Sequence, residues 1–321
     1  MSVPKPGQKK AVLFSCMPSH DIINELIKTV RRHNYHVSLL VMSPLAFNFA
    51  MTGDGIRDMS KTIADVIDKT WDPPAILSVT STRQVEDIYC SIDPDIALCY
   101  YFAYPISKKM LDMRAKIINM HPGKMPVERG PFPALWPTMY PDKYSMDDLC
   151  ATFHYMNENV DCGPIIKQIP LRDRYPEGTT LRNRPIGLIE IATPVFLEHL
   201  DEVITLTEQG YEGTAQEQPD FAPQRNEGSG YGARRPTEEE KVIQPTWSKE
   251  RVLTLGRALG EADGLEEPYF WWNRRRYLVK RMEEWEWPGK HPGKPGDVIR
   301  VGFDLVVMFE GGPIRMATRI K

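Results

Sequence analysis

The segment from Ala11 to Met42 most constrains what this chain can fold into. Ala11-Val-Leu-Phe-Ser-Cys16 is a short apolar run of strand-forming residues. A helical pattern follows, with Ile22, Ile23, Leu26, Ile27 and Val30 on one face. Arg31, Arg32 and His33 then suit the helix C-terminus, where the dipole favours positive charge. His36 to Met42 reads as a second buried strand. Strand, helix and strand at this spacing make a βαβ unit, which commits the chain to a parallel sheet.

The alternation continues further along. Strands are expected at Ile76–Val79, Asp95–Tyr101 and Lys116–Met120, and helices at Thr82–Ser91 and Ile106–Met113. Two further strands, Ala151–Tyr155 and Pro164–Ile169, are close enough in sequence to pair, and Pro185–Gln209 predicts a long helix interrupted or kinked at Pro194. The irregular stretch from Ser43 to Pro74 reads as an excursion over the sheet edge and a candidate lid. From Gly210 to Pro245, Gly, Pro, Glu and Gln dominate, the composition of a linker. Beyond it, strand-like runs at Asp297–Val301 and Leu305–Phe309 accompany Trp271, Trp272, Tyr277, Trp285 and Trp287, expected as the core of a small β-unit. The expected organisation is an α/β catalytic domain over 1–209, a linker over 210–245 and a small barrel-like domain over 246–321.

Charge narrows the function classes. The 321 residues carry a formal net charge of −3, which gives no reason to expect a nucleic-acid partner. No run approaches the roughly 18 apolar residues of a membrane span. The N-terminus lacks the apolar core of a secretory signal, so a cytoplasmic location is expected. Cys16, Cys90, Cys99, Cys150 and Cys162 are odd in number and contain no Cys-x-x-Cys pair, which reads as reduced thiols with no metal site. His33 and His36 read as the end of a helix leading into a strand, not as metal ligands.

The residues with most chemistry lie just beyond a predicted strand, at Asn119-Met-His121-Pro-Gly123 and Arg129-Gly130-Pro131, and in the loop Asn159-Val-Asp161-Cys-Gly163. In open α/β sheets, ligands bind at the carboxyl ends of the strands. An imidazole takes a proton near neutral pH, an amide donates to a developing oxyanion, and a carboxylate holds the imidazole or relays a proton. No activated Ser or Cys stands beside the three. The trio Asn119, His121 and Asp161 therefore suits direct acyl transfer between two bound substrates. His154 reads as a core or sheet-face histidine.

The ordered set Asn119-Met-His121-Pro…Pro126-x-x-Arg129-Gly130…Asp161-x-Gly163 resembles the signature of the folate-dependent formyltransferases, which act on glycinamide ribonucleotide, methionyl-tRNA or sugar amines. Phe221-Ala222-Pro223 in the linker and the Trp247 segment resemble the long members. The resemblance implies a Rossmann-like formyltransferase domain with a mostly parallel sheet, followed by a small OB-like β-barrel. It implies 10-formyltetrahydrofolate as formyl donor, no metal, and a small-molecule primary amine as acceptor. Asn119 would polarise the formyl oxygen, His121 would be the acid/base, and Asp161 would orient it. Phe102, Ala103, Tyr104, Ile106, Met156, Asn157 and Glu158 would form the pterin pocket, and Arg129, Gly130 and Pro131 the acceptor side. Sugar-amine members pair through the C-terminal domain, so the resemblance allows a homodimer.

Departures from the pattern narrow the acceptor. The turn Ser15-Cys-Met-Pro-Ser19 lacks the glycines that bring backbone N–H groups up to a ribose phosphate. From Pro245 to Lys321 there are 14 Lys+Arg against 11 Asp+Glu, a weak positive balance for a tRNA-binding domain. The proline- and aromatic-rich connection between Gly130 and Ala151 suits either an apolar acceptor pocket or simple packing. Alternatives are hydrolysis of the donor by the same trio, methionyl-tRNA formylation, and a non-catalytic or repurposed protein of the same fold using another donor.

Overall fold

The computed structural model describes residues 4–16, 20–43, 61, 63–69, 72–102, 104–130, 133, 135–183, 187–217, 236–260, 267–289 and 293–320. Its larger sheet has seven strands: β1 (Lys9–Ser15), β2 (Tyr35–Met42), β3 (Ala75–Ser78), β4 (Ile96–Tyr100), β5 (Lys116–His121), β6 (Cys150–Tyr155) and β7 (Ile165–Pro170). They lie in the order β3-β2-β1-β4-β5-β6-β7. The first five are parallel, and β6 and β7 add on antiparallel. The strand order reverses between β1 and β4, the position where open α/β sheets leave a crevice at the carboxyl ends.

Both faces of this sheet are covered, so its strands read as unbroken apolar runs. Along β1, Ala11 and Leu13 join one core with Ile27, Leu98, Phe153 and Phe196. Val12 and Phe14 turn the other way, to Leu39, Tyr89, Cys99 and Met110. The helix His20–Arg32 lays Ile23, Leu26, Ile27 and Val30 on the first face. Burial of each such side chain contributes on the order of 1.5–3 kcal/mol. The helix Leu188–Glu208 covers the same face and runs through Pro194 as one helix. Arg32 and His33 reach its Asp201 at 2.5 and 3.0 Å, so His33 fastens a helix end, as its position between helix and strand suggests.

Local departures from expectation have local causes. The helix expected over Thr82–Ser91 begins as a 3-10 turn, Thr82–Gln84, before the helix Glu86–Ile92. The one expected over Ile106–Met113 shortens to Lys108–Leu111, where the Ser107 side chain caps Met110 N–H. Most of the candidate lid over 43–74 lies outside the described residues.

A second sheet has six strands: β8 (Val242–Ile243), β9 (Tyr269–Trp272), β10 (Arg275–Glu284), β11 (Val298–Val301), β12 (Asp304–Phe309) and β13 (Gly312–Ile320). Their order is β11-β12-β13-β10-β9-β8. The helix Lys249–Gly260, absent from the sequence expectation, supplies Val252, Leu255 and Ala258 to its core beside Phe270, Val279, Leu305, Phe309 and Ile314. The expected aromatic core is corrected in part: Tyr277 is buried in it and Trp272 packs against it, but Trp271 is 54% and Trp285, just past β10, 42% exposed. At the two ends of the stretch expected as a linker, β8 pairs with β9 and Thr214 bridges Ile165; residues 218–235 lie outside the described residues. Short extended segments pairing on an edge carry no periodicity that a sequence reading detects. The aromatic connection resolves toward packing. Leu135 and Trp136 are buried in the second core, and Trp136 stacks on Tyr140. Among the described residues, no helix is long and apolar enough to cross a membrane, no group of three or more His, Cys, Asp or Glu could hold a metal, and all five cysteines are free thiols.

Candidate active site

Asn119 and His121 alternate on β5 and therefore share one face of the sheet. The antiparallel register sets His154 opposite Asn119 and Thr152 opposite His121. Asp161 comes from the loop between β6 and β7, where it holds φ at +54°. Non-glycine residues seldom adopt that left-handed conformation, Asp among the more tolerant of them, and it persists where the surroundings hold it. Here they do. Asp161 Oδ2 accepts from Gly130 N–H at 2.9 Å, and Oδ1 accepts from Asn119 Nδ2 at 3.1 Å. Gly130 itself has φ of +104°, a conformation open to glycine, and this turns its N–H toward the carboxylate.

Carbonyl groups decide the tautomers, because a carbonyl oxygen only accepts. His121 Nε2–H donates to the Glu128 carbonyl at 2.7 Å. In the neutral ring Nδ1 is then the unprotonated nitrogen, 3.7 Å from Asp161 Oδ2. His154 Nδ1–H donates to the Tyr155 carbonyl at 2.8 Å, so His154 Nε2 accepts from Asn119 Nδ2 at 3.1 Å. Both hydrogens of the Asn119 amide are thus engaged, one by His154 and one by Asp161. His121 Nδ1 is thus left as an acceptor with a carboxylate 3.7 Å away, close enough to stabilise a proton taken up by the ring.

The electrostatics agree with this assignment. Burial lowers the His121 pKa from its ordinary value, Asp161 opposes that shift, and His154 adds to it. For Asp161, burial favours the neutral acid, but His121, His154 and the Gly130 amide outweigh it and hold the carboxyl well below the usual range. At neutral pH the site therefore holds a neutral imidazole beside a carboxylate, and an arriving proton is stabilised between them.

The loops around the trio differ in exposure. Arg129 is buried, with Nε donating to Gln216 Oε1 at 2.8 Å. Phe102 packs on Phe14 and Tyr104, with ring centroids 5.2 and 5.8 Å away. The Tyr104 hydroxyl is buried with no hydrogen-bond partner. The Ile106 side chain belongs to the core with Tyr89 and Met110, and Met156 packs against the same cluster. Asn157 Oδ1 accepts from Asn159 N–H, and Glu158 is exposed and paired with Lys108. Ala103 and Pro131 lie outside the described residues.

Three participants escaped the sequence reading. His154 is fully buried inside the hydrogen-bond set, which corrects its reading as a plain core or sheet-face histidine. The spacing Thr152-x-His154 mirrors Asn119-x-His121, but only the register brings the two together. Gln216, in the supposed linker, reaches the backbone of the Asp161 loop. Glu128 is the third. Both its carboxyl oxygens are buried without a hydrogen-bond partner, and the Tyr144 hydroxyl beside it lacks hydrogen-bond geometry. Burial pushes this carboxyl well above its ordinary value of 4.5, which the Tyr144 hydroxyl only partly offsets.

A raised folded-state pKa means that the native state binds the proton more tightly than the unfolded chain. Its stabilising contribution is complete below about pH 4.5 and is lost as pH rises toward the folded value. Glu128→Gln is therefore expected to raise the melting temperature at pH 8 by several degrees, and by less at pH 5. Equal changes at the two pH values, measured by thermal unfolding, would rule out a neutral Glu128.

The sheet order is that of an open α/β fold, and solved structures share it. No protein-family model and no curated protein matches the sequence; the likeness is one of structure. HypX from Aquifex aeolicus, in complex with tetrahydrofolic acid, aligns over 97% of this chain and 44% of its own, at 14% identity and a TM-score of 0.61. The chain thus spans less than half the length of that protein. A methionyl-tRNA formyltransferase from Clostridium thermocellum aligns over 98% of this chain and 99% of its own, at 12% identity and a TM-score of 0.53. A sugar N-formyltransferase from Shewanella sp aligns over 83% of this chain and 93% of its own, at 14% identity and a TM-score of 0.51. At these identities the shared property is the fold.

Proposed function

We propose that the protein moves a formyl group from 10-formyltetrahydrofolate to a primary amine of a small molecule. The observation that carries this reading is the buried His121 imidazole, with Nδ1 3.7 Å from Asp161 Oδ2, at the carboxyl end of β5. The fold supports it, since neighbours of this fold include formyltransferases and a protein with tetrahydrofolic acid bound.

His121 Nδ1 takes the proton from the amine as nitrogen bonds to the formyl carbon. Asp161 stays ionised and stabilises the imidazolium. The same proton is then available to the leaving nitrogen as its bond to the formyl carbon breaks. Asn119 turns the hydrogen now given to His154 toward the formyl oxygen, a contribution of about 3 kcal/mol for a well-aimed donor. Phe102, Ala103, Tyr104, Ile106, Met156, Asn157 and Glu158 border the donor. Among them, the ring of Phe102 and the unpartnered Tyr104 hydroxyl suit a flat heterocycle that carries polar edges. Arg129, Gly130 and Pro131 border the acceptor. The Arg129 Nε–H and Gly130 N–H are engaged within the protein, so this loop shapes the acceptor side more than it grips it.

A small amine is favoured over tRNA because basic residues of the second sheet are paired. Arg276 bonds Glu238 and stacks on Tyr269, and Arg315 pairs with Asp304. That sheet is read as an OB-like unit through which a homodimer would form, and the protein as cytoplasmic. The test is calorimetric titration with 5-formyltetrahydrofolate, a stable stand-in for the donor. Saturable binding is expected; a well-folded protein that binds none would overturn the donor assignment.

A further inference from the structure

Gln216 joins the two loops that meet at the site. Its Oε1 accepts from Arg129 Nε at 2.8 Å, and its Nε2 donates to the carbonyls of Asp161 and Gly163 at 3.0 and 2.6 Å. The amide can be oriented in one way only. A guanidinium only donates and the two carbonyls only accept, so oxygen must face Arg129 and nitrogen the Asp161 loop. Every strong hydrogen-bonding group of the amide is thereby used.

These bonds close a ring. Gly130 N–H, next to Arg129, donates to the Asp161 carboxylate, while Arg129 and the Asp161 carbonyl meet through Gln216. The two loops are thus fixed at two points, and the left-handed backbone of Asp161 is held from its carboxyl and its carbonyl ends together. Gln216 is itself carried on a segment anchored elsewhere. The backbones of Thr214 and Ile165 exchange two hydrogen bonds of 2.8 Å, and the Tyr155 hydroxyl donates to the Tyr211 carbonyl. Gly213, at φ of +77°, has its backbone against Ile165 and Pro164, where a Cβ would meet the Ile165 carbonyl oxygen at 2.9 Å.

We propose that Gln216 is a positioning residue that locks the Arg129–Gly130 loop to the Asp161 loop and so sets the Asp161 carboxylate against His121. Its catalytic meaning rests on the proposed formyl transfer; the lock does not. Because the 211–214 anchor is independent of the Gln216 side chain, Gln216→Met removes the clamp and leaves the strap in place. Gln216→Glu keeps an acceptor for Arg129 but turns a carboxylate toward two carbonyls, which cannot bond it.

The readout is amide hydrogen exchange of the full chain, followed by NMR at Gly130 and, as a core reference, at Leu98 of β4. Both variants are expected to lose Gly130 protection by about fivefold, the size of effect that loss of one net hydrogen bond gives, with Leu98 unchanged. A merely structural loss would move both sites together, and that result, or unchanged Gly130 protection in both variants, overturns the proposal. Parallel titration of the wild type with 5-formyltetrahydrofolate separates the two readings. Lost Gly130 protection in the variants without wild-type folate binding leaves the lock standing and sinks the donor assignment. Folate binding with unchanged Gly130 protection does the reverse.

Discussion

His121→Ala is expected to cut formyl transfer by about a thousandfold, within the range that a positioned general base contributes, while the protein remains folded. The imidazole Nδ1 lies 3.7 Å from Asp161 Oδ2, and the Glu128 carbonyl fixes its tautomer. Asp161→Asn should cost a similar factor. The side chain keeps its size, but the charge that stabilises the imidazolium is gone. Both are checked by following tetrahydrofolate release from 10-formyltetrahydrofolate in the presence of an accepted amine. A loss below about fivefold in His121→Ala would remove His121 from the mechanism, since no base with this role contributes so little. The pH profile gives a second check. Burial lowers the His121 pKa, so the neutral base is present above an inflection lying below the ordinary value of 6.5. The rate should be lost as pH falls through that inflection and be level from about pH 7 upward. A rate still climbing through pH 8 would assign the base to another group.

Among the described glycines, Gly163→Ala should be the most damaging added methyl group. A Cβ there would stand 1.7 Å from the Tyr155 carbonyl oxygen and 2.7 Å from its carbon. Both are backbone atoms, so no side-chain rotation relieves the clash. Tyr155 N–H also donates to the Pro164 carbonyl at 2.9 Å, which ties the loop to β6 on the other side of the contact. Relief requires breaking that bond or displacing the loop that carries Asp161. Overpacking of this kind costs about 3 kcal/mol or more. The expected result is a melting temperature lower by several degrees, together with loss of transfer. A variant with wild-type melting and activity would mean that the loop does not approach β6 this closely in solution.

The region around the site shows what kinds of information a sequence holds. Asn119 and His121 were found as an amide and an imidazole at the end of an expected strand; β5 continues through His121, and its alternation sets both on one face. Asp161 was found through its ordered spacing from Asn119, His121 and Arg129. His154 was read as a core histidine because its polarity has meaning only beside Asn119, and that juxtaposition depends on the register of β5 with β6. Gln216 sits in a stretch whose composition says linker, yet one bridge to Ile165 turns it toward the site. Glu128 stands out only in the fold, because its isolation arises from burial beside Tyr144.

What the sequence by itself determined is the βαβ beginning, the mostly parallel sheet, the pairing of β6 with β7 and the trio at one sheet edge. These follow from short-range periodicity and from spacing along the chain, which hydrophobic burial enforces in any compact structure. Only the tertiary structure decided the rest: the tautomers of two histidines, the engaged Asn119 amide, the clamp through Gln216, the helix Lys249–Gly260 over the second sheet and the exposed Trp271 and Trp285. Each of these depends on a contact between residues distant in sequence. Such contacts are chosen by register, by packing volume and by the need of every buried polar group for a partner, none of which is written in a local stretch of residues.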